Sequence, residues 1–177
     1  MRIDYTEDED WPGQFALWDA NCRRSMRGRA GQAALRRLEA ALLAMPEKRL
    51  VSGKLVTHDG DVCAIGALAR AEGKLPEPEP LDAFGDESDD VDDTAEFAEA
   101  SLSFPRLVAW KVVAQNDLMN DTVWELGYGP LGPHEACYRG PDGKGYGIAV
   151  VRDMTPEERY QRMLTWVRNA LRLQEQP

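Results

Sequence analysis

The sequence predicts a mainly α-helical domain of the α+β class that carries a small antiparallel β-hairpin or a three-stranded sheet. Apolar residues recur at helical spacing in several segments, and a capping box precedes the last of them. A glycine- and proline-rich stretch separates that last segment from the others. At 177 residues the chain is long enough for one well-buried core, so we expect a single domain over residues 1–177.

Five segments are predicted to be helical from the spacing of their apolar residues. The first has Leu35, Leu38 and Leu42 on one face, and Pro46 ends its pattern. Taken in order, the predicted helices span residues 28–45, 62–72, 94–101, 105–119 and 155–173.

The starts of two of these helices can be assigned to particular residues. Asp61 is placed to cap the helix that begins at residue 62, and Gly66 permits that helix to pack closely within the core. The last helix begins at Thr155-Pro156-Glu157-Glu158, which is a capping box with proline at the first helical position. We expect this last helix to be the best defined.

Two segments between the helices have compositions that exclude a helix. Prolines alternate with acids at the start of residues 76–93, which we interpret as an acidic loop inserted in the domain. Residues 127–147 are rich in glycine and proline, and Pro141-Asp142-Gly143 is typical of a turn between two strands. The predicted hairpin therefore joins residues 136–138 to residues 146–150.

The negative charge of the protein is concentrated in one segment. The net charge is −10, and the 31 residues between Lys74 and Arg106 contain eleven acids and no lysine or arginine. A localised anionic patch attracts basic partners and repels nucleic acid and membranes. We therefore expect a basic protein partner, no direct binding to nucleic acid and no membrane association. The residues expected to contact the partner are Asp82, Asp86, Glu87, Asp89, Asp90, Asp92, Asp93, Glu96 and Glu99.

A cysteine-dependent hydrolase or transferase is an alternative function. Cys63 is predicted in the first turn of a helix, where unpaired backbone amides favour a thiolate, and His58 or His134 would serve as the base. The competing interpretation is an inert cysteine packed among the small apolar residues of the core. We favour a protein with no catalytic residue and no cofactor, and leave the enzyme as the alternative.

A zinc site is a second alternative for the same residues. His58, Cys63, His134 and Cys137 supply four ligands of a suitable type. Their His-x4-Cys spacing is not a preferred one, and a Cys-x2-Cys pair is absent from the sequence, so we predict no metal.

The distribution of cysteines and apolar residues indicates the compartment. Three scattered cysteines suit reduced thiols, the amino terminus is acidic where an export signal would be basic, and no run of about 18 apolar residues occurs. We expect a cytoplasmic protein.

A self-associating scaffold is the third class of function left open. The arginines between Arg23 and Arg37 form the only strongly basic cluster in the sequence. This cluster could meet the acidic segment of a neighbouring copy in a homo-oligomer.

Five motifs resemble those of small uncharacterised proteins encoded in bacteriophages and prophages of proteobacteria. They lie at residues 31–35 (Gly-Gln-Ala-Ala-Leu), 45–50 (Met-Pro-Glu-Lys-Arg-Leu), 60–68 (Gly-Asp-Val-Cys-Ala-Ile-Gly-Ala-Leu), 116–117 (Asn-Asp) and 155–159 (Thr-Pro-Glu-Glu-Arg). The order Cys-Ala-x-Gly-Ala-Leu, then Asn-Asp before a last helix, also resembles another domain family of unknown function.

The resemblance covers roughly two-thirds of the chain and implies a phage context without an activity, cofactor or site residue. In that context small acidic proteins often bind and disable host machinery. The expected function is thus that of an accessory protein in the host cytoplasm. It would inhibit a nucleic-acid-handling or defence component, in an anti-CRISPR-like manner, by mimicking the phosphate backbone.

Overall fold

The computed structural model describes residues 11–77, 91–118, 122–125, 138–139, 145–146 and 150–172. Within these residues the protein is mainly α-helical and contains six α-helices. They are α1 Trp11–Arg27, α2 Arg29–Ala44, α3 Ala64–Ala71, α4 Val91–Leu102, α5 Arg106–Val113 and α6 Pro156–Arg172. A π-helix, Ala114–Leu118, continues directly from α5.

All five predicted helices are present, and the ends of four of them agree with the prediction to within three residues. The helix predicted over 105–119 is α5 only as far as Val113 and then continues as the π-helix to Leu118. Helix α4 starts inside the range predicted as an acidic loop, so Asp92 and Asp93 are helical. The capping box at the start of α6 is confirmed. The Thr155 amide donates to Glu158 Oε2 at 3.0 Å, and the Glu158 amide donates to Thr155 Oγ1 at 3.2 Å.

Helix α1 was not predicted from the sequence. Cys22 and Met26 are its buried residues among those whose side chains are described, whereas Leu17 is 64% exposed. The helix could nevertheless have been predicted, because apolar residues recur every three or four positions along it, at Trp11, Phe15, Trp18, Cys22 and Met26.

Four short strands form two antiparallel pairs in the described residues. Strand β1 (Thr122–Glu125) pairs with β4 (Val150–Asp153), with Thr122 opposite Asp153. Strand β2 (Tyr138–Arg139) pairs with β3 (Gly145–Tyr146), at the position where the hairpin was predicted. The turn and the residues flanking this second pair lie outside the described residues, so the complete hairpin stays a prediction.

Helix α2 lies at the centre of the helical core. It packs against α1, α3 and α6, while α5 packs against α1, α3 and α4. Leu35, Leu38 and Leu42 are fully buried on α2, as the sequence predicted. None of the described helices is both long and apolar enough to cross a membrane.

Two glycines allow backbone segments to approach closely around this core. A Cβ atom on Gly31 would lie 2.1 Å from the Ser25 carbonyl oxygen, and one on Gly66 would lie 2.1 Å from the Leu55 carbonyl oxygen. Because both obstacles are backbone atoms, a side chain could not be accommodated without moving the chain. The close backbone approach therefore explains why glycine occurs at position 31 in the motif of residues 31–35 and at position 66 in the motif of residues 60–68.

Candidate partner-binding surface and buried polar residues

Three acids form an exposed row on α4. Asp93, Glu96 and Glu99 follow one another at three-residue spacing and are all exposed, whereas Ala95 and Ala98 are buried against the core. We call these three acids the α4 acidic face. This face arises because α4 is amphipathic, with its alanines packed against the core and its carboxylates exposed to water.

One arginine lies beside the α4 acidic face. The Arg106 guanidinium is 3.8 Å from Glu96 Oε1 and 3.9 Å from Glu99 Oε2, and the three side chains are each about half exposed. Ion pairs this long and this exposed contribute little free energy. The two glutamates therefore keep most of their capacity to attract another cation.

The other six predicted contact residues have no described side chain. Asp82, Asp86, Glu87, Asp89 and Asp90 lie outside the described residues, and Asp92 belongs to α4 without a described side chain. The structure thus brings Asp93, Glu96 and Glu99 together, and the remaining six stay predictions.

Cys63 caps α3, which corrects the assignment of the cap to Asp61. The Gly66 amide donates to Cys63 Sγ at 3.4 Å, and the Cys63 amide donates to the Leu55 carbonyl at 3.3 Å. The residue is 2% exposed. Burial and capping give this thiol a structural role at the helix start.

Asp61 stabilises the preceding turn instead of the helix. Its carboxylate accepts from Arg49 Nη2 at 2.7 Å, and this hydrogen bond raises the pKa of Arg49. Its amide donates to Thr57 Oγ1 at 3.0 Å, while its carbonyl accepts from the Thr57 amide. Both the backbone and the side chain of Asp61 therefore form hydrogen bonds with this preceding segment, to Thr57 and to Arg49.

The residues of the alternative catalytic and zinc sites are only partly described. His58 lies in an exposed turn, whereas Cys63 is buried, and both His134 and Cys137 lie outside the described residues. In the part of the chain that the structure describes, no group of three His, Cys, Asp or Glu residues is placed to hold a metal ion. The predictions that place His134 and Cys137 in a catalytic or zinc site therefore stay predictions.

Asn116 is a buried polar residue whose role the sequence did not reveal. Its side chain is 1% exposed; Oδ1 accepts from the Ala64 amide at 3.3 Å, and Nδ2 donates to the Val51 carbonyl at 2.8 Å. It also donates to the carboxylate of Asp117. Asn116 therefore ties the π-helix to the start of α3 and to the segment before it.

Two arginines of α6 donate hydrogen bonds to backbone carbonyls of the π-helix. Arg159, which is 5% exposed, donates to the Asn116 carbonyl at 2.6 Å, and Arg162 donates to the Gln115 carbonyl at 2.7 Å. Carbonyls at the end of a helix need such partners when they are buried. In the sequence, the Asn116-Asp117 motif marked this site, but the motif alone did not indicate that Asn116 is buried or what it contacts.

One arginine of the basic cluster is held by contacts within the chain. Arg37 is partly exposed, and its Nε donates to Glu72 Oε1 at 2.9 Å while its Nη2 donates to the Leu102 carbonyl at 2.8 Å. Arg23, Arg24 and Arg27 of α1 are exposed and, with Ala20, line an open cavity of about 410 Å³. We call these four residues the α1 basic groove.

A buried lysine fixes α1 to α5. Lys111 is 7% exposed, donates to Asp19 Oδ1 at 2.8 Å and lies 5.1 Å from the centre of the Trp18 ring. Asp19 also pairs with Arg23 at 2.5 Å. The hydrogen bond from Lys111 lowers the pKa of Asp19, because it stabilises the carboxylate.

Comparisons with protein-family models, with curated proteins and with solved structures found no match to this chain. Its function is therefore proposed from charge, burial and contacts.

Proposed function

We propose that the protein is a non-catalytic accessory protein that binds a basic protein partner through the acids of residues 82–99. The observation that carries the proposal is the α4 acidic face, where Asp93, Glu96 and Glu99 are exposed together. This face lies within the 31-residue segment that contains eleven acids and no lysine or arginine. A basic surface would find there a concentrated opposite charge.

The spacing of these acids supports mimicry of a nucleic-acid backbone. Three residues of an α-helix rise about 4.5 Å, and a DNA strand carries one phosphate for about every 3.4 Å of helix axis. The two densities of negative charge are similar. A partner with a nucleic-acid groove would release its counterions to the carboxylates as it does to phosphates.

The class of partner follows from that chemistry and from the resemblance to phage proteins. We propose a nucleic-acid-handling or defence component of a bacterial host, inhibited in the host cytoplasm in an anti-CRISPR-like manner. The burial of Cys63 favours binding over cysteine-dependent catalysis, since a nucleophile needs exposure and a partner base.

Affinity capture from a bacterial lysate tests this proposal. The protein is used as bait beside a variant in which Asp86, Asp89, Asp90, Asp92 and Asp93 are changed to asparagine. A control variant removes three exposed acids elsewhere on the protein, with Glu47→Gln, Asp59→Asn and Glu157→Gln. Duplex DNA is added to part of each sample as a competitor.

The bait should retain a basic nucleic-acid-binding protein that the five-fold variant fails to retain and that the control variant keeps. Duplex DNA should displace that protein if the acids occupy its nucleic-acid groove. Equal retention by all three baits would contradict the proposal, and retention that DNA does not affect would contradict the mimicry.

A further inference from the structure

We propose that Arg37 and Lys74 are positioning residues that hold the last turn of α4 and so keep the three acids of the α4 acidic face in a row. This inference rests on the proposed function, because it concerns the surface through which the partner binds. Arg37 belongs to α2 and Lys74 follows α3, so neither residue is part of the face itself. We call Arg37, Lys74 and the Glu72 carboxylate between them the α4 clamp.

Helix α4 needs cations from elsewhere in the chain because its own sequence supplies none. Residues 91–102 contain four acids and no lysine or arginine. Asp93, Glu96 and Glu99 are like charges at three-residue spacing, which disfavours a helix, and Glu99 lies in the last turn, where the helix dipole disfavours an anion. A helix of about 12 residues is also marginal without tertiary contacts. The row of acids therefore weakens the helix that presents it.

The α4 clamp supplies these cations to the carbonyls at the end of α4. Arg37 Nη2 donates to the Leu102 carbonyl at 2.8 Å, and Lys74 Nζ donates to the Ser101 carbonyl at 2.8 Å. The carbonyls of a last helical turn have no partner within the helix, and a positive charge beside them also compensates the helix dipole. Both cations therefore stabilise the end of α4 that its acids destabilise.

Glu72 holds both cations in place. Its Oε1 accepts from Arg37 Nε at 2.9 Å, and its Oε2 lies 3.5 Å from Lys74 Nζ. Because the planar guanidinium uses separate N–H groups for Glu72 and for the Leu102 carbonyl, the carboxylate fixes the direction of the bond to α4. The same carboxylate partly neutralises the two cations, so we assign them to the backbone of α4 and not to an external anion.

The chain that follows α4 fixes the same end of the helix. Ser103 has a φ of 50°, the left-handed conformation that often follows a helix, and the Phe104 amide donates to the Ala98 carbonyl at 3.0 Å. Leu102 and Phe104 are buried in the core. Apolar contacts therefore anchor this end of α4 on one side, and the α4 clamp adds polar contacts to it. Glu99 lies about one turn before the anchored end.

Hydrogen exchange and the binding of a basic peptide test the α4 clamp together. Arg37→Ala and Lys74→Ala are compared with the wild type and with Lys74→Arg, which keeps a cation at this position. Arg36→Ala is the control, because it removes the same charge from an exposed position of α2. Amide exchange is followed residue by residue. The binding probe is a synthetic helical peptide with three lysines at three-residue spacing, used at low salt, and circular dichroism checks that each variant keeps its helices.

The exchange experiment should show a local effect on α4. Arg37→Ala should speed exchange of the amides of residues 99–102 by about tenfold, because a hydrogen bond from a charged group to the last turn is lost. Lys74→Ala should speed it less, since the Lys74 ammonium is about half exposed. Lys74→Arg and Arg36→Ala should exchange like the wild type, and exchange in α6 should stay unchanged in every variant.

The direction of the change in peptide affinity separates positioning from charge. Each alanine variant makes the protein more negative, so long-range attraction alone would leave peptide binding equal or tighter. Loss of position should instead weaken binding by about two- to fivefold. Arg106→Ala is the matched control, because it removes a cation that lies beside Glu96 and Glu99 without being part of the α4 clamp. This variant should bind the peptide equally well or more tightly.

Three results would overturn the proposal. They are exchange at residues 99–102 that neither alanine variant changes, exchange that becomes faster in all helices alike, and peptide binding that tightens in Arg37→Ala as it does in Arg106→Ala. Failure of every protein, the wild type included, to bind the peptide would count against the proposed function. The exchange result would still decide whether the α4 clamp holds α4, so the two failures are distinguishable.

Discussion

Cys63 and Asn116 satisfy two backbone amides at the start of α3 that the helix itself leaves unpaired. Cys63 Sγ accepts from Gly66, and Asn116 Oδ1 accepts from Ala64. A helix start was predictable here, but the cap was assigned to Asp61 because aspartate is a preferred capping residue and cysteine is not. The contact from Asn116 could not be predicted, since it spans 52 residues and depends on how α5 and α3 pack.

Replacing Asn116 should destabilise the protein more than its small side chain suggests. Asn116→Ala leaves the buried Ala64 amide and the partly buried Val51 carbonyl without this partner, and we expect a loss of about 1–3 kcal/mol in the free energy of unfolding. Urea denaturation measures the change, with the exposed Asp59→Ala as the control. Equal stability of the two variants would show that Asn116 does not hold the π-helix to α3.

The buried thiols should react slowly in the folded protein. Burial raises the pKa of Cys22 to about 11, so little thiolate is present at pH 8, and Cys63 is 2% exposed. In variants that retain only Cys22 or only Cys63, labelling by a thiol reagent should become fast only when urea unfolds the chain. Rapid alkylation of native Cys63 at neutral pH would instead favour the cysteine-dependent enzyme.

At the scale of the elements, five helices were predicted from the spacing of their apolar residues and α1 was not. Helices α2 and α6 have broad buried faces and clear ends, which is why their limits were close to the prediction. Helix α1 is joined to the core partly by the polar contact between Asp19 and Lys111, but its sequence also has apolar residues every three or four positions, at Trp11, Phe15, Trp18, Cys22 and Met26. The same contact makes the attachment of α1 sensitive to pH.

Acid should weaken this attachment. The pKa of Asp19 is lowered below its ordinary value of 3.8 in the folded protein, so its ion pair stabilises the fold above that value and is lost as the pH falls through the lower, folded pKa. Asp19→Asn should destabilise the protein at pH 7 by about 1–3 kcal/mol, because Lys111 then lacks its counter-charge.

Unfolding free energies of the wild type and Asp19→Asn, measured from pH 7 to pH 2, test this. The difference between the two proteins should be constant above about pH 5 and should shrink below it. A difference that does not vary with pH would mean that Asp19 acts by packing alone.

At the scale of the whole molecule, the mainly α-helical character and the asymmetry of charge were both predictable from the sequence. Helical periodicity is local, and charge can be counted along the chain, so neither needs knowledge of the tertiary structure. The division of the basic cluster was not predictable, because only the packed structure shows that Arg37 turns toward Glu72 while Arg24 stays exposed. Such long-range contacts decide which charges remain available to a partner.

The proposed function rests on one claim, that the α4 acidic face contributes directly to binding of a basic protein. Its most direct test is the dissociation constant of the captured partner, measured for the wild type, for Asp93→Asn/Glu96→Gln/Glu99→Gln and for Glu47→Gln/Asp59→Asn/Glu157→Gln. Each variant removes three exposed carboxylates. The measurement is repeated at low and at high salt.

The α4 variant should bind about tenfold more weakly and depend less on salt, because three surface charge pairs together contribute about 1–3 kcal/mol. The other variant should bind like the wild type. Equal affinity and equal salt dependence of the wild type and the α4 variant would contradict the claim.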